Sequence, residues 1–236
     1  MSRSAAHYYP PPARPLTAHV HPAVAELVAE PVVQPSDGLD VLRPTARPRT
    51  TQVVVFDTET TGREHDARIV EFGMARVDLV TGQLLTRWAS LADPGVPIPR
   101  EASAVHGITD ADVRGAPSIA QALRRALVLI AKTGLPLVAH NASFDLARVR
   151  HEAQRCDVAL PGTIPVHCSL VTSRKLCKAR GHALSVVAER YGVTVADAHR
   201  ALGDVAMLAA VLPHLLREPA AQGRDFRECF HLEAML

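Results

Sequence analysis

Two carboxylates one residue apart, Asp57 and Glu59, close a β-branched run in Val53-Val54-Val55-Phe56-Asp57-Thr58-Glu59-Thr60-Thr61-Gly62. Side chains alternate faces along a strand, so both acids point the same way. At the end of a buried strand they repel one another unless a cation lies between them. Hard oxygen donors at this spacing suit a divalent ion such as Mg²⁺ or Mn²⁺. Taken alone, the pair serves equally well as a solvated strand end.

Two further segments supply partners. In Val138-Ala139-His140-Asn141-Ala142-Ser143-Phe144-Asp145 a short apolar strand runs into a helix start. Asp145 then falls in the first helical turn, where the helix dipole favours an acid on structural grounds alone. In His199-Arg200-Ala201-Leu202-Gly203-Asp204 the His and the Asp stand five positions apart. Inside one helix they would lie about 140° apart around the axis. They face one site only if His199 lies in the approach loop and Asp204 on the helix. Asp57, Glu59, Asp145 and Asp204 offer four hard ligands, and His199 a group that takes a proton near neutral pH. That inventory fits two-metal hydrolysis of a phosphodiester, one ion presenting a water and the other stabilising the departing O3′.

These residues need a scaffold. Hydrophobic spacing predicts strands over Gln52–Asp57, Ile69–Asp78 and Leu84–Leu91, the last two joined by a Thr81-Gly82 turn. Short turns between them predict an antiparallel meander. After a loop with Pro94, Pro97 and Pro99 come short helical pieces at Glu101–Val105 and Asp110–Val113. Ile119, Leu123, Ala126, Leu127 and Ile130 predict an amphipathic helix over Ser118–Lys132, closed by Gly134. Leu137–Ala139 reads as a short strand and Phe144–Cys156 as a helix capped by Asn141 or Ser143. Val166–Cys168 is one more strand, with helices at Leu170–Cys177, Leu184–Tyr191 and Arg200–Leu216. The sum is an α/β fold: a mixed sheet of about five strands, the first three antiparallel, flanked by helices.

Composition narrows the class. The 236 residues are 47% hydrophobic and 21% charged, enough to bury a core. A net charge of +2 does not provide a grip on duplex DNA by charge alone. Cys156, Cys168, Cys177 and Cys229 form neither a C-x-x-C pair nor a finger-like set with His. No segment approaches the ~20 apolar residues that span a bilayer, and no export signal is evident, so the expectation is a cytoplasmic protein with no membrane partner. Residues 1–50 hold nine of the 18 prolines and carry five Arg against four acids. They read as a disordered or polyproline-II-like arm, either a plain solvated extension or a docking segment for a protein partner. The domain then spans 51–217, with 218–236 a short C-terminal tail.

The motifs together resemble the DnaQ-like (DEDDh) 3′→5′ exonucleases, a family that includes the epsilon proofreading subunit of bacterial DNA polymerase III. FDTETTG is similar to the family's first motif, HNASFD to the second and HRALGD to the third, in its His-x₄-Asp form. Val105-His106-Gly107-Ile108-Thr109 resembles the loop lining the terminal nucleotide's pocket. The resemblance covers roughly Gln52–Leu216 and implies a ribonuclease H-like sheet. It also implies two ions, Mg²⁺ or Mn²⁺, on Asp57, Glu59, Asp204 and Asp145, with His199 as general base. Thr60, Val105, His106 and Phe144 would hold the 3′ nucleotide, Phe144 by stacking on a base or, equally, as plain core.

The implied substrate is a single-stranded nucleic acid 3′ end releasing nucleoside 5′-monophosphates, DNA favoured and RNA possible. A catalytically silent scaffold of the same fold is the remaining alternative, weakened because none of the acids is missing. Where many relatives carry Asp-Thr-Leu, this chain reads His167-Cys168-Ser169-Leu170. About 20 residues follow Leu216, too few for the polymerase-holding segment of an epsilon subunit, which favours a free-standing exonuclease. Arg174, Lys175, Lys178, Arg180 and His182 form the densest basic stretch, either a phosphate track or a solvated helix face.

Overall fold

Strand β1 (Gln52–Thr60) is apolar on both sides through its first half, and in the computed structural model it is covered on both. The structure describes residues 52–162, 164–176, 181–194, 199–221 and 232–235. The proline-rich arm, Lys178, Arg180, Asp197 and Ala198 lie outside them. The remaining elements are β2 (Ile69–Asp78), β3 (Leu84–Leu91), α1 (Arg100–His106), α2 (Asp110–Val113), α3 (Ile119–Thr133), β4 (Leu137–Ala139), α4 (Ala142–Arg155), β5 (Ile164–Cys168), α5 (Ser169–Leu176), α6 (Leu184–Arg190), α7 (Ala201–Ala221) and β6 (Leu232–Met235).

The sheet order is β3-β2-β1-β4-β5-β6. The first three strands form the expected antiparallel meander, and β1, β4 and β5 run parallel. The expected five strands are present, and part of the C-terminal tail adds a sixth, β6, antiparallel to β5. Val53 and Val55 pack with Ala75 and Val77 beneath α7 through Val205, Leu208, Ala209 and Leu212. Val54 and Phe56 pack on the opposite face against α3 and α4 through Leu123, Leu127, Leu146 and Val149. Burial on both faces is why this strand reads as a continuous apolar run.

Two differences from the sequence expectation bear on the site. β1 continues three residues beyond Asp57, because β2 keeps pairing with it: Asp57 faces Gly73 and Glu59 faces Glu71, up to a bulge after Glu59. On its other side β1 pairs with the three-residue β4 only at Val54 and Val55. The carboxyl end of β1 is therefore open toward β4, and crevices of this kind at the carboxyl ends of parallel strands are where α/β folds hold ligands. Second, Asn141 precedes α4 in the left-handed region (φ 70°) and its side chain makes no cap bond. A side-chain cap needs an extended backbone at that position. The turn is instead closed by the Phe144 amide donating to the Asn141 carbonyl at 2.9 Å. α3 begins as expected, with a reciprocal Ser118–Gln121 capping box, and ends at Gly134 with φ 60°. No helix among the described residues is long and apolar enough to cross a membrane.

Candidate active site

The acids converge at the open end of β1. One carboxylate oxygen from each of Asp57, Glu59 and Asp204 lies within 4.8 Å of the others. Asp57 and Glu59 share the β1 face that α7 covers, and Asp204 reaches it from the first turn of α7. Gly73 permits this approach. A Cβ there would stand 2.5 Å from the Ala201 carbonyl carbon, so α7 begins directly on bare strand backbone.

Asp145 comes from the first turn of α4, nearly fully buried, and stands outside that trio. Its Oδ1 accepts from the Thr58 amide at 3.0 Å and the Thr58 hydroxyl at 2.7 Å. Thr58 alternates with Asp57 and Glu59, so it faces α4 while they face α7. Asp145 is thereby held by the very strand that carries the other two acids.

His199 precedes α7 and is exposed, with φ 66°. It lies in the approach loop and Asp204 on the helix, the arrangement their spacing requires. Its amide donates to Asp204 Oδ1 at 3.2 Å.

Burial raises the carboxyl groups, and neighbouring charges add to it at Asp57, Glu59 and Asp145. Burial, and then the charges of Asp145 and Glu59, pushes Asp57 well above the usual carboxylate range. Burial with the charges of Asp204 and Glu71 raises Glu59 to about 8, against a smaller opposing effect of Arg200. Burial raises Asp145 to about 7 in spite of the Thr58 hydrogen bonds. Asp204 is raised by burial too, the His199 amide acting the other way. Hard oxygens that close, in a buried site that resists their ionisation, are the donor set a divalent cation fits.

The residues expected around the 3′ nucleotide divide into two kinds. Val105 is 54% exposed on α1. Phe144 is half-buried, with the Arg148 guanidinium 4.9 Å from its ring centroid, so one ring face is covered. Thr60 and His106 are buried and engaged internally. The His106 Nδ1 accepts from the Ile108 amide at 3.0 Å. That bond leaves the proton on Nε2, which donates to the Thr60 carbonyl at 3.2 Å. Burial lowers the His106 pKa and keeps the ring neutral. The Thr60 hydroxyl donates to the Gly62 carbonyl at 2.6 Å.

Among the basic residues, Arg148 donates to the carbonyls of His65 and Arg63, and Arg68 pairs with buried Glu152 at 2.8 Å. These contacts tie the loop after β1 to α4. His182 is held by Ser173 and by His140. His167 and Cys168 are buried strand residues of β5. Sequence reasoning passed over Thr58, Glu71 and Arg200. An acid inside the apolar strand Ile69–Asp78 was the available signal, since a buried carboxylate needs a partner.

Comparison with known proteins accords with this geometry. Residues 54–212 match the RNase_T family model, described as exonuclease. A DNA polymerase III subunit epsilon-like protein of Rhodobacter capsulatus is 36% identical over 178 residues, 72% of this chain and 24% of that protein. A putative bifunctional exonuclease/endonuclease protein of Mycobacterium tuberculosis is 34% identical over 185 residues, 74% of this chain and 28% of that protein. The chain thus spans about a quarter of the length of these relatives. Among solved structures, exonuclease X in complex with 5′ overhanging duplex DNA is 27% identical with a TM-score of 0.55, covering 70% of this chain and 91% of that one. The nuclease domain of 3′hExo, a DEDDh family member bound to rAMP, shares the fold at 14% identity and a TM-score of 0.65, covering 81% of this chain and all of that one.

Proposed function

The chain belongs to the RNase_T exonuclease family, and from that premise we propose that it is a metal-dependent 3′→5′ exonuclease removing nucleoside 5′-monophosphates from single-stranded DNA. The observation that carries this reading is the meeting of Asp57, Glu59 and Asp204 within 4.8 Å, with Asp145 tied to the same strand through Thr58. Bound by these carboxylates, two divalent ions, Mg²⁺ or Mn²⁺, supply positive charge to the phosphodiester and acidity to a water. Asp57, Glu59 and Asp204 would hold them directly, and Asp145 directly or through water.

His199, exposed at the rim beside Asp204, takes the proton of the attacking water. Val105 offers an apolar contact to the terminal nucleotide, and Phe144 its remaining ring face to a base. His106 acts through Thr60: its neutral ring fixes the Thr60 carbonyl at the end of β1, where the terminal nucleotide is held. DNA is favoured over RNA because the relatives above 25% identity include an epsilon-like protein and an exonuclease bound to DNA. Residues 1–50 are its candidate segment for docking a protein partner, and the cytoplasm is its proposed place of work.

The test is release of mononucleotides from 3′-labelled single strands, DNA and RNA side by side, with Mg²⁺ or Mn²⁺. Asp57→Asn and Asp204→Asn are expected to lose on the order of 10³-fold of the rate, because metal and water positioning fail together. Activity that persists in chelator, or in Asp57→Asn, would falsify the reading. Faster trimming of the RNA strand would move the substrate to RNA and leave the chemistry standing.

A further inference from the structure

Glu71 lies directly across from Glu59 in the β1–β2 ladder. Residues opposite one another share a face, and like charges there are destabilising. Glu71 is also 4% exposed, so water does little to relieve it. Its relief comes from the turn into α7 and that helix's first residue. Arg200 Nη2 donates to Oε1 at 2.6 Å and Arg200 Nε to Oε2 at 3.1 Å, a two-pronged pair. The Ala201 amide adds a third bond to Oε2 at 3.0 Å. Three donors from two consecutive residues thus end on one buried carboxylate.

Those two residues follow His199 immediately. His199 has φ 66°, a conformation that costs a non-glycine residue free energy and persists only where its surroundings impose it. The hydrogen bond that His199 makes within this turn comes from its backbone amide, so the path of the backbone decides where the ring is presented. The backbone is fixed at three points: the His199 amide on Asp204, the Asp204 amide on the Arg200 carbonyl at 2.9 Å, and Arg200 with Ala201 on Glu71. Loss of the Arg200 side chain removes the two-pronged pair and loosens the turn, while the backbone bonds of His199, Ala201 and Asp204 remain and Asp57, Glu59 and Asp204 stay on their own elements.

The geometry points to Glu71 and Arg200 as positioning residues for the proposed reaction, a clamp that holds the His199 turn against β2 so that the imidazole stays in reach of the attacking water. This inference rests on the reading of His199 as general base. The half-exposed guanidinium is not a phosphate anchor in this account, because both of its engaged nitrogens face Glu71.

A double-mutant cycle on mononucleotide release tests it, with wild type, His199→Ala, Arg200→Ala and the double variant. Arg200→Ala is expected to lower kcat by about 10- to 100-fold, the range for a catalytic group displaced by about an ångström. KM and Mn²⁺ affinity, the latter read by calorimetry, are expected to stay within about twofold. The double variant is expected to be no slower than His199→Ala, because Arg200 has nothing left to position. Multiplicative losses, or a raised KM in Arg200→Ala, overturn the clamp while His199 keeps its role. A His199→Ala protein with the wild-type rate overturns the base reading, and the clamp with it. Glu71→Gln, which keeps the shape and removes the charge, is expected to lower kcat at saturating Mn²⁺ by about the same 10- to 100-fold; wild-type kcat in a folded Glu71→Gln protein also overturns the clamp.

Discussion

The metal-free protein is expected to lose stability as pH rises from about 4 to about 8, the reverse of the acid sensitivity of proteins whose carboxylates are ion-paired. Asp145 moves from an ordinary 3.8 to about 7 and Glu59 from 4.5 to about 8, both chiefly through burial. A carboxyl whose folded pKa lies above its unfolded one binds its proton more tightly when folded. Its full contribution is present below the unfolded value and is lost as pH climbs to the folded value. For nearly fully buried Asp145 a shift of about 3 units corresponds to about 4 kcal/mol. The acids occupy one small volume, so protonating one relieves the others and their contributions do not add.

A loss of ~4 kcal/mol in a domain of this size lowers Tm by on the order of 10 °C. A divalent ion inverts the trend, because it binds the ionised carboxylates and stabilises only the folded state. Thermal denaturation in chelator and in Mg²⁺, between pH 5 and 8.5, reads both effects. The expected result is a falling Tm in chelator and a Mg²⁺-induced rise that grows with pH. Asp57→Asn, with one charge fewer, is expected to flatten the chelator curve. A Tm that climbs through this window without metal, or a Mg²⁺ increment the same at pH 5.5 and 8.5, refutes the account of the acids as buried carboxyls that resist ionisation until a metal binds.

Two substitutions test the supports of the site. Gly73→Ala places a methyl against the Ala201 backbone and Cβ, and is expected to cost ~1–3 kcal/mol in chemical denaturation with weakened Mn²⁺ binding, since Asp204 moves with α7. His106→Phe strands the Thr60 carbonyl and the Ile108 amide, and is expected to cost on the order of 2 kcal/mol and to raise KM more than it lowers kcat. An unchanged KM for a folded His106→Phe protein would remove Thr60 and His106 from the nucleotide pocket.

What the sequence made legible follows from range. Alternation along Val53–Thr60 put Asp57 and Glu59 on one face, and α/β patterning ordered the elements, because both are properties of neighbouring residues. The His199–Asp204 spacing demanded a loop followed by a helix, and that is the arrangement found. Partners separated by many residues were not legible. The Thr58 bond to Asp145 spans 87 positions and the Glu71 pair with Arg200 spans 129, and neither leaves a local period. The reach of β1 past Asp57 was hidden for the same reason, since it depends on the register with β2. Asn141 misled in a different way: its type suits a cap, but the left-handed turn that swings the chain from β4 into α4 takes its side chain away from the amides.

The same long-range contacts explain how five carboxylates can share one end of a sheet. Their repulsion is sorted by face and by partner. Among the described residues Asp57, Glu59 and Asp204 make no salt bridge, and their gathered oxygens are a donor set that suits a metal. Asp145, on the far face of β1, is answered by the neutral donors of Thr58, so its charge is held in place without being cancelled. Glu71 alone among the five receives a full countercharge, and Arg200 delivers it from the turn that leads into the helix carrying Asp204. Had Arg200 been free to pair with Glu59, the cradle would hold its own cation and compete with any ion from solution. Glu71 removes that competitor, engaging the guanidinium one strand away from the metal ligands. A carboxylate that binds nothing from solution is in this way part of what keeps the other carboxylates available.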